Sequence, residues 1–254
     1  MSENLPVVSV IMPMHNSAKF VAASIGSVIA QTYPHWELLV IDDFSSDDST
    51  KIVDKYVAQD ARIRLLRNQQ HNGMPSAPRN CGVEAARGRY IAFLDSDDLW
   101  FPLKLEQQLK FFETHPSVAV VFSDYEKMDE DGRRKNRIIK APSSVNYHQL
   151  LYSNFIGNLT GMYDTSKVGK VRIQDIHHED YVMWLHILKQ GYTAQNTGTV
   201  LAAYRVGSQS ISSNKLKILL WQWDIYRQVE HLSVQRSLWY YLSYAWRAFF
   251  KSII

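Results

Sequence analysis

Tyr90-Ile91-Ala92-Phe93-Leu94-Asp95-Ser96-Asp97-Asp98 changes halfway from an apolar run into a cluster of carboxylates. An apolar run that stops abruptly in polar residues reads as a strand buried on both faces, with its carboxyl end open to a site. The same break occurs twice upstream, where Val7–Met12 leads into Pro13, His15 and Asn16, and Trp36–Ile41 leads into Asp42 and Asp43. Ile63–Arg67 and Val118–Phe122 are two further strands. Helical period fills the gaps. Lys19–Gln31 sets Phe20, Ile25, Val28 and Ile29 on one face, and Ser46 or Asp47 caps a second helix that runs through Val57. Short strands alternating with helices are the pattern of βαβ units, so the expected fold is α/β with a mostly parallel central sheet and flanking helices.

Ligands of an open parallel sheet bind beyond the carboxyl ends of its strands. Asp42, Asp43, Asp95, Asp97 and Asp98 would gather there, at a cost in repulsion that a cation would remove. The donors are hard oxygens with no Cys/His cluster nearby, which favours Mg2+ or Mn2+ over zinc. No glycine fingerprint follows the first strand and there is no Walker A lysine loop. The phosphates of a nucleotide would therefore be held through a metal and side chains, with Arg79 and Asn80 placed to help. Asp98 also reads as a cap for a helix starting near Pro102.

After Asp124 the alternation stops. Asp129–Lys140 reads as a polar, basic turn region, and its Arg133-Arg134-Lys135-Asn136-Arg137 run as a solvated loop. Tyr181–Lys189 reads as a helix ending at Gly191, and Val200–Arg205 as a last strand. The tail mixes Trp221, Trp223, Trp239 and Trp246 with Arg227, Arg236, Arg247 and Lys251. Polar residues interrupt it well before the roughly 20 apolar residues that a spanning helix requires. An interfacial helix pair with peripheral membrane contact is expected, with ordinary helical core or a homodimer interface as the alternatives.

The 254 residues are 46% hydrophobic and 21% charged, which excludes a disordered chain. A net charge of +3, from 28 basic and 25 acidic residues, argues against nucleic acid as a partner. Cys81 is the single cysteine, and the first residues resemble no secretion signal, so the cytoplasm is the expected compartment.

Four segments, Val8–Asn16, Val40–Thr50, Pro78–Gly82 and Tyr90–Asp98, resemble in order and spacing the family 2 glycosyltransferases, of the bacterial polysaccharide and O-antigen type. Glu179-Asp180 and Tyr204-Arg205 extend the likeness. The resemblance implies a GT-A fold with a C-terminal helical extension, divided into a nucleotide-sugar half at 1–125, an acceptor and catalytic-base half at 126–212, and a helical tail at 213–254. It implies a UDP-sugar donor and inversion of configuration. The acceptor would be a lipid-linked or oligosaccharide glycan at the inner face of the cell membrane.

By the same resemblance, His15 and Asp43 lie at the base and ribose, with Asp43 addressing the uracil, and Pro13, Asn16, Arg79, Asn80 and Ser96 are further donor-binding candidates. Asp95 stands near the ribose or metal, Asp97 on the metal, and Asp180 is the base. Asp42, Asp98, His178, Glu179 and Arg205 are secondary candidates. One departure is that Gly207 and Ser208 stand where many relatives carry a histidine able to approach the metal. Either water and diphosphate oxygens complete the coordination, or His177 or His178 does. Two other classes compete: a metal-dependent phosphatase or phosphotransferase with Asp95 as nucleophile, and a non-catalytic sugar-nucleotide-binding module. Leu99 stands where the phosphatase motif carries a threonine.

Overall fold

The computed structural model describes residues 7–69, 73–207 and 215–253. In chain order the first half comprises β1 (Val8–Met14), α1 (Val21–Ile29), β2 (Trp36–Asp42), α2 (Ser49–Val57), β3 (Ile63–Arg67), α3 (Ser76–Ala85), β4 (Tyr90–Phe93), β5 (Leu99–Trp100) and α4 (Lys104–Thr114). The second half comprises β6 (Val120–Met128), β7 (Arg134–Ile139), β8 (Ser144–Val145), α5 (Tyr147–Leu150), β9 (Met162–Asp164), α6 (Thr165–Val168), α7 (Glu179–Lys189) and β10 (Ala194–Arg205). The C-terminal segment is α8 (Lys215–Asp224), a π-helical turn at Ile225–Val229, and α9 (Val234–Ile253).

Ten strands form one sheet in the order β3-β2-β1-β4-β9-β6-β10-β5, with β7 added to β6 and β8 to β10. The first four are parallel, as the βαβ pattern requires. Beyond β4 the sheet is mixed: β9 runs antiparallel to both β4 and β6, while β10 runs parallel to β6. The two halves therefore share a single sheet, and the 125/126 boundary falls inside β6. Strand parity divides the core. Ile11, Leu39, Ile41, Ile91 and Phe93 face α3 and α7, whereas Val10, Met12, Leu38, Val40 and Ala92 face α1, α2 and α4.

Several expectations change. Asp129–Lys140 is not a turn region, because residues 134–139 pair antiparallel with β6 as an exposed edge strand. Its charged side chains keep that edge in water while the backbone bonds to β6. The last strand starts at Ala194 rather than Val200, since Ala194–Asn196 already pair with Val120–Phe122. Asp98 caps no helix: α4 begins at Lys104, and the Asp98 carboxylate accepts from the Arg205 backbone N–H at 2.8 Å. The Asp47 carboxylate does accept from the Ser49 N–H at 3.0 Å, at the start of α2.

The C-terminal segment is docked on the core. Ile225 and Tyr226 are fully buried, and the Tyr226 hydroxyl donates to the Leu151 carbonyl at 2.6 Å. Glu230 accepts from Tyr147 at 2.5 Å and from Lys189 at 2.8 Å. α9 leaves Val234, Leu238, Trp239, Leu242 and Trp246 exposed. No described helix is long and apolar enough to cross a membrane.

Gly88 shows how tightly the parallel region is joined. Its N–H donates to Ser9 Oγ at 2.8 Å, and that hydroxyl donates to the buried Glu37 at 2.6 Å. A Cβ at Gly88 would lie 2.7 Å from the Ser9 backbone nitrogen, which cannot move without disturbing β1. Gly88→Ala is expected to destabilise the protein by about 1–3 kcal/mol, measured by urea unfolding. An unchanged midpoint would show that this turn can relax.

Candidate active site

The ends of β1 and β2 are laced together. Pro13 pairs with Ile41 within the sheet, and the His15 imidazole donates from Nδ1 to the Asp43 carbonyl at 2.6 Å. Asn16 adopts a left-handed backbone, φ 46°, that turns its side-chain carbonyl toward the Ser46 N–H at 2.8 Å. Asp42 accepts from the Ser45 N–H at 3.2 Å, and Asp43 accepts from the Asn68 amide at 2.7 Å. Ser96 exchanges a hydroxyl bond of 2.7 Å with Ser17 and offers its carbonyl to Ser24. Asn80 turns to Ile173, whose carbonyl and N–H it engages at 2.8 Å each.

Beside this cluster lies a cavity of about 910 Å³ lined by the other candidates: Arg79, Asp95, Asp97, Asp98, His178, Glu179, Asp180 and Arg205. Three distant segments meet there, namely the start of α3, the loop after β4, and the start of α7. Arg79 is buried between them, donating to Asp95 at 2.6 Å and to Glu179. Burial works against its charge, but Asp95 and Glu179 outweigh burial and hold it protonated. Arg205 braces the acidic loop from the other side, with its Nε on the Asp97 carbonyl at 2.7 Å and Nη1 on the Glu130 carbonyl at 2.8 Å.

The carboxylates are left unequally satisfied. Burial first, and then the charge of Asp95, push the Asp97 carboxyl up to about 6. Burial and the same neighbours carry Asp98 well above the usual carboxylate range. Burial also raises Glu179 and Asp180, against the pull of Arg79. Asp180 accepts only from the Asn154 amide, at 3.4 Å, among the described side chains. It is thus a carboxylate of raised basicity that lines the cavity.

Asp95 and Asp97 supply the hard oxygen donors that Mg2+ or Mn2+ prefers, and their mutual repulsion is what a cation would relieve. Among the described residues no three His, Cys, Asp or Glu side chains converge on one point. His177 stacks on Trp221 with ring centroids 3.9 Å apart, and the His178 Nε2 is buried without a described partner. Gly207 lines the cavity, whereas Ser208 lies outside the described residues. The motif reading did not find Phe20, Tyr125, Glu130, Asn154 or Asn158, which also line the cavity. They stand outside the motifs, Phe20 at the N-cap of α1, Tyr125 in β6, and Glu130, Asn154 and Asn158 in the connections beyond it.

The model of the family described as Glycosyl transferase family 2 matches residues 9–175. A putative teichuronic acid biosynthesis glycosyltransferase of Bacillus subtilis, TuaG, is 39% identical over 249 residues, covering 98% of each chain. The Escherichia coli UDP-Glc:alpha-D-GlcNAc-diphosphoundecaprenol beta-1,3-glucosyltransferase WfgD is 40% identical over 220 residues, 86% of this chain and 85% of its own. Among solved structures, S. aureus TarS 1–349 with UDP-GlcNAc superposes with a TM-score of 0.73 at 19% identity, over 94% of this chain and 71% of that one.

The raised Asp97 carboxyl has a consequence for stability. A group whose folded pKa lies above its unfolded value holds its proton more tightly when folded, so ionising it penalises the fold as pH rises. Asp97→Asn should therefore stabilise the metal-free protein by about 1–3 kcal/mol at pH 7.5. The gain should shrink as pH falls through about 6 and vanish near 3.8. Urea unfolding in a chelator measures it, and equal stability at pH 7.5 would discount the repulsion.

Proposed function

The chain belongs to glycosyl transferase family 2, and on that premise we propose that it is an inverting enzyme moving a hexose from a UDP-sugar to a hydroxyl of a lipid-diphosphate-linked glycan. That it is a glycosyltransferase follows from the family; the donor, acceptor and residue roles are our reading. The observation that carries the mechanism is the single cavity in which half-open Asp95 and Asp97 face Asp180, with Arg79 between them.

Asp180 takes the proton from the acceptor hydroxyl as that oxygen attacks the anomeric carbon. Inversion in one displacement needs one such base and no carboxylate nucleophile. Glu179 is engaged by Arg79, which leaves Asp180 the available acceptor. A Mg2+ or Mn2+ ion held by Asp97 and Asp95 would offset the charge growing on the UDP leaving group, with diphosphate oxygens and water filling its remaining positions. His15 and Asp43 would receive the uridine, with Pro13 and Asn16 shaping that side, Asn80 fixing α3 against Ile173, and Ser96 fixing the loop after β4. The name of WfgD, a glucosyltransferase acting on a diphosphoundecaprenol-linked sugar, supports glucose as a first donor to try and a polyprenyl diphosphate acceptor.

The exposed stripe of α9 supports peripheral contact with the membrane that carries such an acceptor, at its cytoplasmic face. Leu238 and Leu242 lie one turn apart, and Trp239 and Trp246 are each 67% exposed, an aromatic pattern that suits the headgroup boundary.

Two measurements test this reading. Calorimetry with UDP should show manganese-dependent binding that Asp97→Ala abolishes, while Asp180→Asn keeps UDP affinity and lowers transfer by at least about a hundredfold. Comparable transfer by Asp180→Asn would remove it as the base. Replacing Leu238 and Leu242 with glutamate should release the protein from anionic vesicles in a flotation assay. Retained flotation would refute the lipid contact, and a wild-type dimer split by the same pair would make the stripe a subunit interface.

A further inference from the structure

Near the end of β6 stands a lysine that the proposed mechanism does not use. Side chains alternate along a strand, so Lys127 shares a face with Tyr125. In register it lies beside Tyr204 of β10 on one side and Arg137 of β7 on the other. Tyr125 and Tyr204 both line the cavity that holds Asp97 and Asp180, and their rings meet edge to face with centroids 6.2 Å apart. Lys127 therefore begins a strip that leaves the cavity wall along the outer part of the sheet.

The two faces of this hairpin differ in charge. On one, Arg134 is paired with Glu126. On the other, the Lys127 ammonium has no hydrogen-bond or ion-pair partner among the described residues. Burial first, and then the charges of Arg137 and Lys135, hold its pKa below the ordinary lysine value, so the charges acting on it are both positive. Like charges directly across a strand pair are destabilising. The register shifts between Lys127 and Met128, and Asn136 on the facing strand is left-handed, φ 51°. A bulge of this kind re-aims side chains, and here it leaves Lys135 as well as Arg137 close to Lys127. Protection of an edge strand accounts for the exposed Lys135 and Arg137. It does not account for Lys127, which is half-buried in a strand with neighbours on both sides.

A cation kept against repulsion beside a cavity fits a ligand that brings several negative oxygens. In the proposed reaction the donor's diphosphate is held by the metal at Asp95 and Asp97. The acceptor brings a second diphosphate, joined to the sugar whose hydroxyl Asp180 would deprotonate. Two residues along a strand span about 7 Å, so Lys127 stands one such step beyond Tyr125 on the cavity wall.

We infer that Lys127, with Arg137 and Lys135, forms the binding site for the diphosphate of the lipid-linked acceptor. The inference rests on the proposed transfer reaction, and it assigns to the β6–β7 hairpin a role in recognising the acceptor's charge rather than its sugar.

The test uses the full-length enzyme with manganese, the UDP-sugar that a donor panel identifies, and two acceptor probes built on N-acetylglucosamine. One carries a short-chain alkyl diphosphate and the other is the neutral alkyl glycoside. Lys127→Met should raise the KM of the diphosphate acceptor roughly tenfold, and Arg137→Gln a few-fold, while the neutral acceptor's KM, kcat at saturation and the affinity for UDP stay near wild type. Lys127→Arg should keep most of the wild-type affinity. If the neutral acceptor binds without being turned over, its Ki against the diphosphate acceptor takes the place of its KM. Lys127→Met should unfold in urea at a midpoint equal to or above wild type, because it removes a repelled charge, and this separates loss of binding from loss of folding. The site is overturned if the constants of both acceptors rise together or if neither moves. It is also overturned if the variants lose flotation with anionic vesicles while the diphosphate KM is unchanged, which would give the strip to lipid headgroups. If Lys127→Met does not fold, Arg137→Gln and Lys135→Gln, at exposed positions, decide the matter. Should the wild type not bind UDP at all, the transfer reading itself has failed and this site falls with it.

Discussion

The guanidinium of Arg79 is held between Asp95, at the end of β4, and Glu179, at the start of α7. It connects three segments of the chain, and two of them carry the groups proposed for the chemistry. A buried ion pair of this kind is not in itself a source of stability, because desolvation offsets most of the attraction. Removing one partner, however, would leave an uncompensated charge inside the protein, which typically costs about 3–5 kcal/mol. Arg79 thus fixes the start of α7 relative to the end of β4. With Glu179 engaged, the adjacent Asp180 is the carboxylate left open to the cavity.

The acidic loop after β4 sits against the same constraint. Arg79 neutralises Asp95, and the Arg205 backbone N–H holds Asp98, but no side chain among the described residues neutralises Asp97 directly. Burial leaves Asp97, Asp98, Glu179 and Asp180 all with carboxyls raised above the usual carboxylate range. Perturbed carboxyls gathered in one cavity are characteristic of functional sites.

The C-terminal segment changes the view of the whole molecule. Composition suggests an appended aromatic tail, yet Ile225 and Tyr226 belong to the core, Glu230 ties α5 to α7 through Tyr147 and Lys189, and Trp221 reaches the cavity. In this segment the apolar surface that remains uncovered, among the described residues, is Leu220 of α8 and the outer stripe of α9. One segment therefore has two faces, an inner one packed on the core and lining the cavity, and an outer one whose apolar side chains are exposed.

Much of this was legible in the sequence. Unbroken apolar runs ending in carboxylates specify buried parallel strands and the edge at which their polar ends meet, because burial on both faces admits only apolar side chains. The order of the motifs identified the family and, with it, the GT-A fold. Local sequence did not reveal the mixed half of the sheet, since antiparallel pairing of β9 with β4 and β6 depends on which strand edges are free, and the exposed β7 opens with the polar run Arg134-Lys135-Asn136-Arg137. It also did not separate the residues that line the cavity from those, such as Asn16 and Asn80, whose amides are consumed in joining loops. Adjacent positions in a motif can point to different places, and only the tertiary packing decides which polar atoms are spent internally. The approach of Trp221 to His177 and Asp180 was likewise invisible, because it joins segments about forty residues apart through the packing of α8 and the π-helical turn that follows it.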